Sequence, residues 1–172
     1  MKRLIIIALA LTFAFALNAQ QAVFNKGNLM FNAGIGVPNN HGLIPSVNFS
    51  GEVGVIPTGD IGVVSFGGLA EFQFAQYSYG YLANNENFVR FYIGPRAAWH
   101  FLGLNTNVFD VYAGVGAGII INSKSDNVSG STEVHPDVFA GGRWMFAGKM
   151  GLFGEVGYTG LSFLKFGVTF GL

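Results

Sequence analysis

The chain has no cysteine, which excludes a disulfide framework and the usual thiolate zinc sites. Charge is almost as scarce. Nine Lys and Arg with nine Asp and Glu make up 10% of the residues, against about a quarter in ordinary soluble domains, and so thin a supply cannot cover a solvated surface. The two signs cancel, so there is no basic footprint for nucleic acid. Three histidines, His41, His100 and His135, are too scattered to suggest a metal centre, and no cofactor is implied. The glycine-rich stretch from Gly114 to Gly118 lacks the lysine and following helix of a phosphate loop. Beyond Leu17 no apolar run approaches the roughly 20 residues of a membrane-spanning helix.

What is abundant is glycine, phenylalanine and alternation. With 26 Gly and 18 Phe, the composition is far from that of an average domain. The first residues stand apart: Lys2 and Arg3, an apolar stretch from Leu4 to Leu17, then Asn18 and Ala19. This is the order of a cleavable export signal, expected to span 1–19 with the cut after Ala19. No cysteine near the cut could carry a lipid anchor. Residues 20–172 are then expected to form one domain.

From Leu29 onward the chain reads in period two. Leu29, Phe31, Ala33, Ile35 and Val37 alternate with Met30, Asn32, Gly34 and Gly36. Seven further segments repeat the pattern, in order Val47–Val55, Val64–Phe74, Arg90–Phe101, Phe109–Ile119, Asp137–Phe146, Leu152–Thr159 and Leu164–Leu172. Pro95 is a blemish in the fourth, because proline removes a ladder donor. Pro57–Asp60 and Ala147–Met150 read as tight turns, and Ser78–Asn87 and Asn122–Val134 as polar loops. The prediction is an all-β, eight-stranded antiparallel up-and-down barrel.

Alternation alone does not say which face is inside. Nine charged residues fall within the strands: Glu52, Glu71, Arg90, Arg96, Asp110, Asp137, Arg143, Glu155 and Lys165. All share the register opposite the apolar one. A Lys or Arg facing lipid at mid-membrane costs about 2–4 kcal/mol, so the clean apolar face predicts a transmembrane barrel. Its nearly neutral charged face is then expected to pair internally, with Asp137 and Arg90 hydrated near the rims. The connections after strands one, three and five read as nine to thirteen residues and those after two, four and six as four to six, as in outer-membrane barrels with short periplasmic turns. Trp99, Phe101, Phe109, Trp144, Phe146 and Phe170 gather toward one end as an expected aromatic girdle. The glycines Gly34, Gly36, Gly54, Gly114, Gly116, Gly118 and Gly141 either leave an internal passage or make room for Tyr92, Tyr112 and Phe139.

With eight amphipathic strands and the closing segment LKFGVTFGL, the mature chain resembles the small outer-membrane β-barrel family of OmpX-like, OmpW-like and OmpA-barrel proteins. FYIGPRAAWHF is similar to the fourth strand of the outer-membrane β-barrel domain found in Bacteroidetes. The resemblance implies an outer-membrane location, contact with its lipids, and recognition of the last strand by the barrel-assembly machinery. Leu172 stands where the family usually ends in an aromatic residue. Unlike in OmpA, no periplasmic wall-binding domain is expected after the barrel, so wall anchoring is not implied. The expected role is non-catalytic, with external loops making structural, adhesive or defensive contacts with an extracellular partner. A narrow pore or small-hydrophobe carrier is the alternative. An outer-membrane hydrolase or acyltransferase would need His135 with Asp137 and Ser123 or Ser125. His41 and His100 read as hydrophilic padding and interface residues. Asp126, Glu133 and Asp137 are a weak calcium candidate beside the simpler reading of solvated loop acids.

Overall fold

The computed structural model describes residues 22–39, 44–77, 86–123 and 130–172, with 75–77 and 86–88 in backbone alone. The expected export signal at 1–19 lies outside these residues, as do His41, Ser125 and Asp126.

Eight strands follow one another: β1 (Leu29–Pro38), β2 (Ser46–Pro57), β3 (Gly62–Tyr77), β4 (Glu86–Phe101), β5 (Phe109–Asn122), β6 (Ser131–Ala147), β7 (Met150–Tyr158) and β8 (Ser162–Gly171). Each pairs antiparallel with the next, and β1 closes on β8 from Met30↔Gly171 to Val37↔Leu164. The fold is therefore the expected all-β closed barrel, and closure leaves no open sheet edge along the paired rows. An even strand number returns the chain to its starting end, so both ends of the described chain lie at one mouth. There Leu172 N–H donates to the Leu29 carbonyl.

Because side chains alternate across a strand, the sequence pattern becomes two surfaces. Phe31, Phe49, Val53, Phe66, Phe72, Ile93, Val115, Val138, Leu152, Val156, Phe166 and Val168 point outward and are exposed. Asn32, Asn48, Ser65, Glu71, Arg96, Asp110, Arg143 and Thr169 point inward and are buried. Pro95 does less harm than its position suggests. The β4–β5 ladder runs from Arg90↔Asn122 to Ile93↔Ile119 and resumes at Arg96↔Gly116, so the proline falls in a break between them.

Two expectations about the connections need correction. The β5–β6 ladder continues to Asn122↔Ser131, so the stretch Ser131–Val134 is strand and not loop. Backbone pairing carries on through Thr132 and Glu133 because a ladder needs no apolar side chain, and only the apolar pattern stops there. Likewise β3 and β4 pair as far as Tyr77↔Glu86. The contrast between long and short connections shrinks accordingly: 39–45, 78–85 and 123–130 at one end, 58–61, 102–108 and 148–149 at the other. The β6–β7 turn is the tightest and places Gly148 at φ +63°, a conformation that favours glycine.

The rim is uneven. Pairing between β6 and β7 begins only at Val138↔Tyr158, so Ser131–Asp137 rises beyond β7 while still paired to β5. Strands β3 to β6 form a tall wall over a low one of β7, β8, β1 and β2. No described residue pairs with the outer edge of this part of β6. Below the low rim, Leu161 of the β7–β8 connection turns into the barrel against Leu69, Tyr92 and Ile120. At the opposite mouth the segment before β1 buries Phe24 against Met30, Val63 and Met145.

Candidate functional site

The inward face places six of the nine charged strand residues in two ion-pair clusters. In the central one, Arg96 Nε–H donates to Asp137 Oδ2 at 3.0 Å, and its two terminal nitrogens donate to Glu155 at 3.1 and 3.3 Å. This forked geometry suits guanidinium and carboxylate. The Tyr112 hydroxyl donates to the same Glu155 at 3.0 Å, and the Arg96 guanidinium lies 3.5 Å from the Phe139 ring centre.

The second cluster sits near the mouth that holds the termini. Arg143 donates to Asp110 Oδ2 at 2.8 Å, to Glu52, and to Asn32 Oδ1 at 3.2 Å. His100 Nδ1 faces Asp110 at 2.9 Å while its Nε2 faces Glu52 at 3.2 Å and Ser65 at 3.1 Å. Ionised carboxylates only accept, so with Asp110 and Glu52 both ionised the two ring nitrogens donate and His100 is an imidazolium. Arg143 and His100 then balance Glu52 and Asp110 charge for charge. Asn105 Nδ2–H adds a further bond to Asp110 at 2.8 Å. Tyr112 joins the clusters, since its ring lies 4.4 Å from the Arg143 guanidinium and its hydroxyl reaches Glu155.

The remaining three charges stand apart. Glu71 accepts from Ser46 and, at 2.8 Å, from Thr159. Arg90 donates to Asn122 at 3.0 Å. Lys165 is buried opposite Glu155 in the β7–β8 register but makes no direct ion pair among the described residues. The expectation that Asp137 and Arg90 are hydrated rim charges is overturned, because both are buried. Asp137 is held by Arg96, and Arg90 by the last residue of β5. His100, read from the sequence as padding at an interface, is fully buried and central to the second cluster. Its signal was available: it shares the inward register with Asp110 across one connection.

The inward glycines make room for rings. A Cβ at Gly118 would lie 2.6 Å from Tyr92 Cζ, one at Gly114 2.4 Å from Phe139 Cζ, and one at Gly141 3.0 Å from Tyr112 Cζ. Gly34 faces Phe153 in the same way, at 2.9 Å. These contacts place aromatic rings where the glycines would otherwise leave a passage, as side chains fill the interior of an eight-stranded barrel.

Among the described residues the nucleophile arrangement expected from the sequence does not assemble. His135 faces Glu133 at 3.3 Å and Asp137 faces Arg96, so the proposed dyad is split between partners. Ser123 instead accepts a bond from the Val89 backbone at 2.9 Å. With Asp137 held by Arg96, the calcium candidate loses a ligand, and no metal-holding group occurs among the described residues. Ser65, His100 and Asp110 do have the connectivity of a nucleophilic triad. However, the Ser65 hydroxyl donates to Glu52 and not to His100, and Ser65 is fully buried.

On the outside, Trp99 packs 4.9 Å from Phe101, Phe109 6.2 Å from Trp144, and Trp144 5.8 Å from Phe146, measured between ring centres. Phe170 lies across from Met150 and Phe31, toward the same mouth.

No protein-family model matches the sequence, and no curated protein does. Solved structures similar to the chain include a de novo designed transmembrane β-barrel, 16% identical over 86% of this chain and 98% of that one, with a TM-score of 0.49. Another is Ail, the attachment invasion locus protein of Yersinia pestis, solved in complex with the heparin analogue sucrose octasulfate. It is 12% identical over 86% of this chain and all of its own, with a TM-score of 0.49.

Proposed function

We propose that the chain is an integral outer-membrane barrel with a closed interior, and that its tall β3–β6 wall and outer connections make contacts at the cell surface. The observation that carries the membrane placement is where exposed charge occurs. Among the described residues the exposed charges are Lys26, Asp60, Lys149 and Glu133. The first three lie before β1 or in the turns at the mouth with the termini, and Glu133 lies on the protruding part of β6. The band between them is apolar on every strand, and a charge there would cost about 2–4 kcal/mol in lipid. In this setting the paired Trp and Phe rings serve as a girdle at the interface holding the termini. The exposed end of β8 at Phe170, with Leu172 just beyond it, is the segment offered to the assembly machinery.

The contact surface follows from the uneven rim. Ser131–Asp137 carries exposed Thr132, Glu133, Val134 and Pro136 above the low wall, clear of the apolar band and open to a partner outside. The interior supports a structural reading over transport or catalysis, because ion pairs and aromatic rings occupy it.

Reconstitution tests these parts separately. In vesicles the chain should resist alkaline extraction, and in planar bilayers it should show no discrete conductance. A stable monomer in plain buffer would overturn the membrane placement, and discrete channels would overturn the closed interior. Cells displaying the chain should lose attachment to serum-coated glass when Thr132, Glu133 and Val134 are replaced together by serine. Attachment equal to that of the parent would remove the wall as the contact surface.

A further inference from the structure

The segment ahead of β1 belongs to no strand ladder. Residues 22–28 fold on themselves: Asn25 N–H donates to Asn28 Oδ1 at 2.7 Å, its side-chain amide donates to the Ala22 carbonyl at 2.8 Å, and Gly27 takes φ +87°. Three backbone bonds tie this fold to the rim: Val23 N–H to the Thr106 carbonyl at 3.0 Å, Gly27 N–H to the Gly54 carbonyl at 2.8 Å, and Gly54 N–H to the Asn28 carbonyl at 3.0 Å. One side chain goes deep. Phe24 has no exposed surface and stacks on the His100 ring, with centres 3.8 Å apart and planes 20° from parallel. The Arg143 guanidinium lies 6.0 Å from the Phe24 ring centre. The barrel provides for the insertion, since a Cβ at Gly54 would come within 2.4 Å of the Asn25 carbonyl oxygen and 3.2 Å of the Phe24 ring.

We propose that residues 22–28 are a resident stopper, with Phe24 closing this mouth over the Glu52–His100–Asp110–Arg143 cluster, and that the stopper can withdraw while the strands stay paired. Closure of the barrel does not depend on it, because the β1–β8 ladder begins at Met30. The groups beneath it also favour reversibility. Withdrawal gives up the apolar contacts of Phe24 with Met30, Val63 and Met145, but it uncovers carboxylates, an imidazolium, Ser65 and Asn105, all of which gain hydration. A face stacked on an imidazolium also adds cation–π attraction in the closed state. Opening from this side alone makes no through-channel, since Leu161, Tyr92, Ile120 and Leu69 pack together toward the other mouth. The device therefore controls access of small hydrophilic molecules to the polar cluster from this mouth alone. It rests on the closed barrel and not on the membrane placement, so a chain that failed to enter vesicles could still show it in detergent.

The absence of native cysteine makes a thiol-labelling test clean. Val63→Cys reports from directly under Phe24 and Ser65→Cys from the cluster below. Each is placed in the full chain, folded in detergent, and treated with a negatively charged methanethiosulfonate reagent, with circular dichroism and heat-shifted gel mobility confirming the barrel. Both thiols should react slowly in the parent background. With Phe24→Ala both should react at least about ten-fold faster, because local opening loses the burial of a whole aromatic ring. Phe24→Leu, which keeps apolar bulk without the ring, should fall between them. Equal rates with and without Phe24 in a folded barrel would overturn the proposal. So would failure of both Phe24 variants to form a barrel, since the segment would then be part of the wall's stability and not a stopper.

Discussion

Phe109 and Asp110 are neighbours on β5, yet they occupy opposite worlds. Phe109 is 47% exposed on the outer face, stacked against Trp144, whereas Asp110 has no exposed surface and is bound by Arg143, His100 and Asn105. The same inversion repeats along the strands. In a soluble domain the apolar side chain would be buried and the acid exposed. The fold supplies Asp110 with its solvent in the form of hydrogen-bond donors. It supplies Phe109 with very little, so the surroundings must do so, and this is the physical content of the membrane reading.

The comparison breaks most visibly from the inside. Arg143→Met leaves Glu52 and Asp110 facing one cation in place of two, in a site closed to water. Loss of one partner of a buried pair costs about 3–5 kcal/mol, to be read from urea unfolding followed by tryptophan fluorescence. Adding Glu52→Gln should recover much of the loss, because it restores the balance of charge. From the outside, Val115→Lys should cost about 2–4 kcal/mol in bilayers, while Val115→Leu should be nearly silent. A cost for the lysine no larger than for a water-exposed site would remove the distinction between the faces.

Smaller effects sharpen the picture. Gly118→Ala would place a Cβ 2.5 Å from the Ile93 carbonyl oxygen and 2.7 Å from the Tyr92 hydroxyl. Such overpacking costs about 1–3 kcal/mol, and the same unfolding titration checks it. At the mouth, Lys149→Ala should change stability by no more than about 0.5 kcal/mol, as expected for an exposed turn residue without a described partner.

Much of the barrel was legible because its determinants are local and periodic. The outward register of Phe166, Val168 and Phe170 follows from spacing alone, as does the inward register of Arg96, Asp110 and Arg143. Which inward charges meet was less legible. Arg96 reaches Asp137 on β6 and Glu155 on β7, and such cross-lumen partners depend on strand stagger, which alternation does not encode. The rise of β6 to Ser131 was hidden because its ladder continues after the apolar pattern ends. Phe24 was invisible for a different reason. It belongs to a non-periodic segment whose role is set by His100, a residue 76 positions further along.

The central claim is that the apolar outer belt faces lipid. A single Val115→Cys, made unique by the lack of native cysteine, can carry a fluorophore on the reconstituted barrel, with Lys149→Cys as the label at the mouth. Quenching of the Val115 label by bromine on lipid acyl chains, with protection from aqueous iodide that the Lys149 label does not share, is the predicted result. Iodide quenching of both labels to the same degree, without response to the brominated lipid, would contradict it.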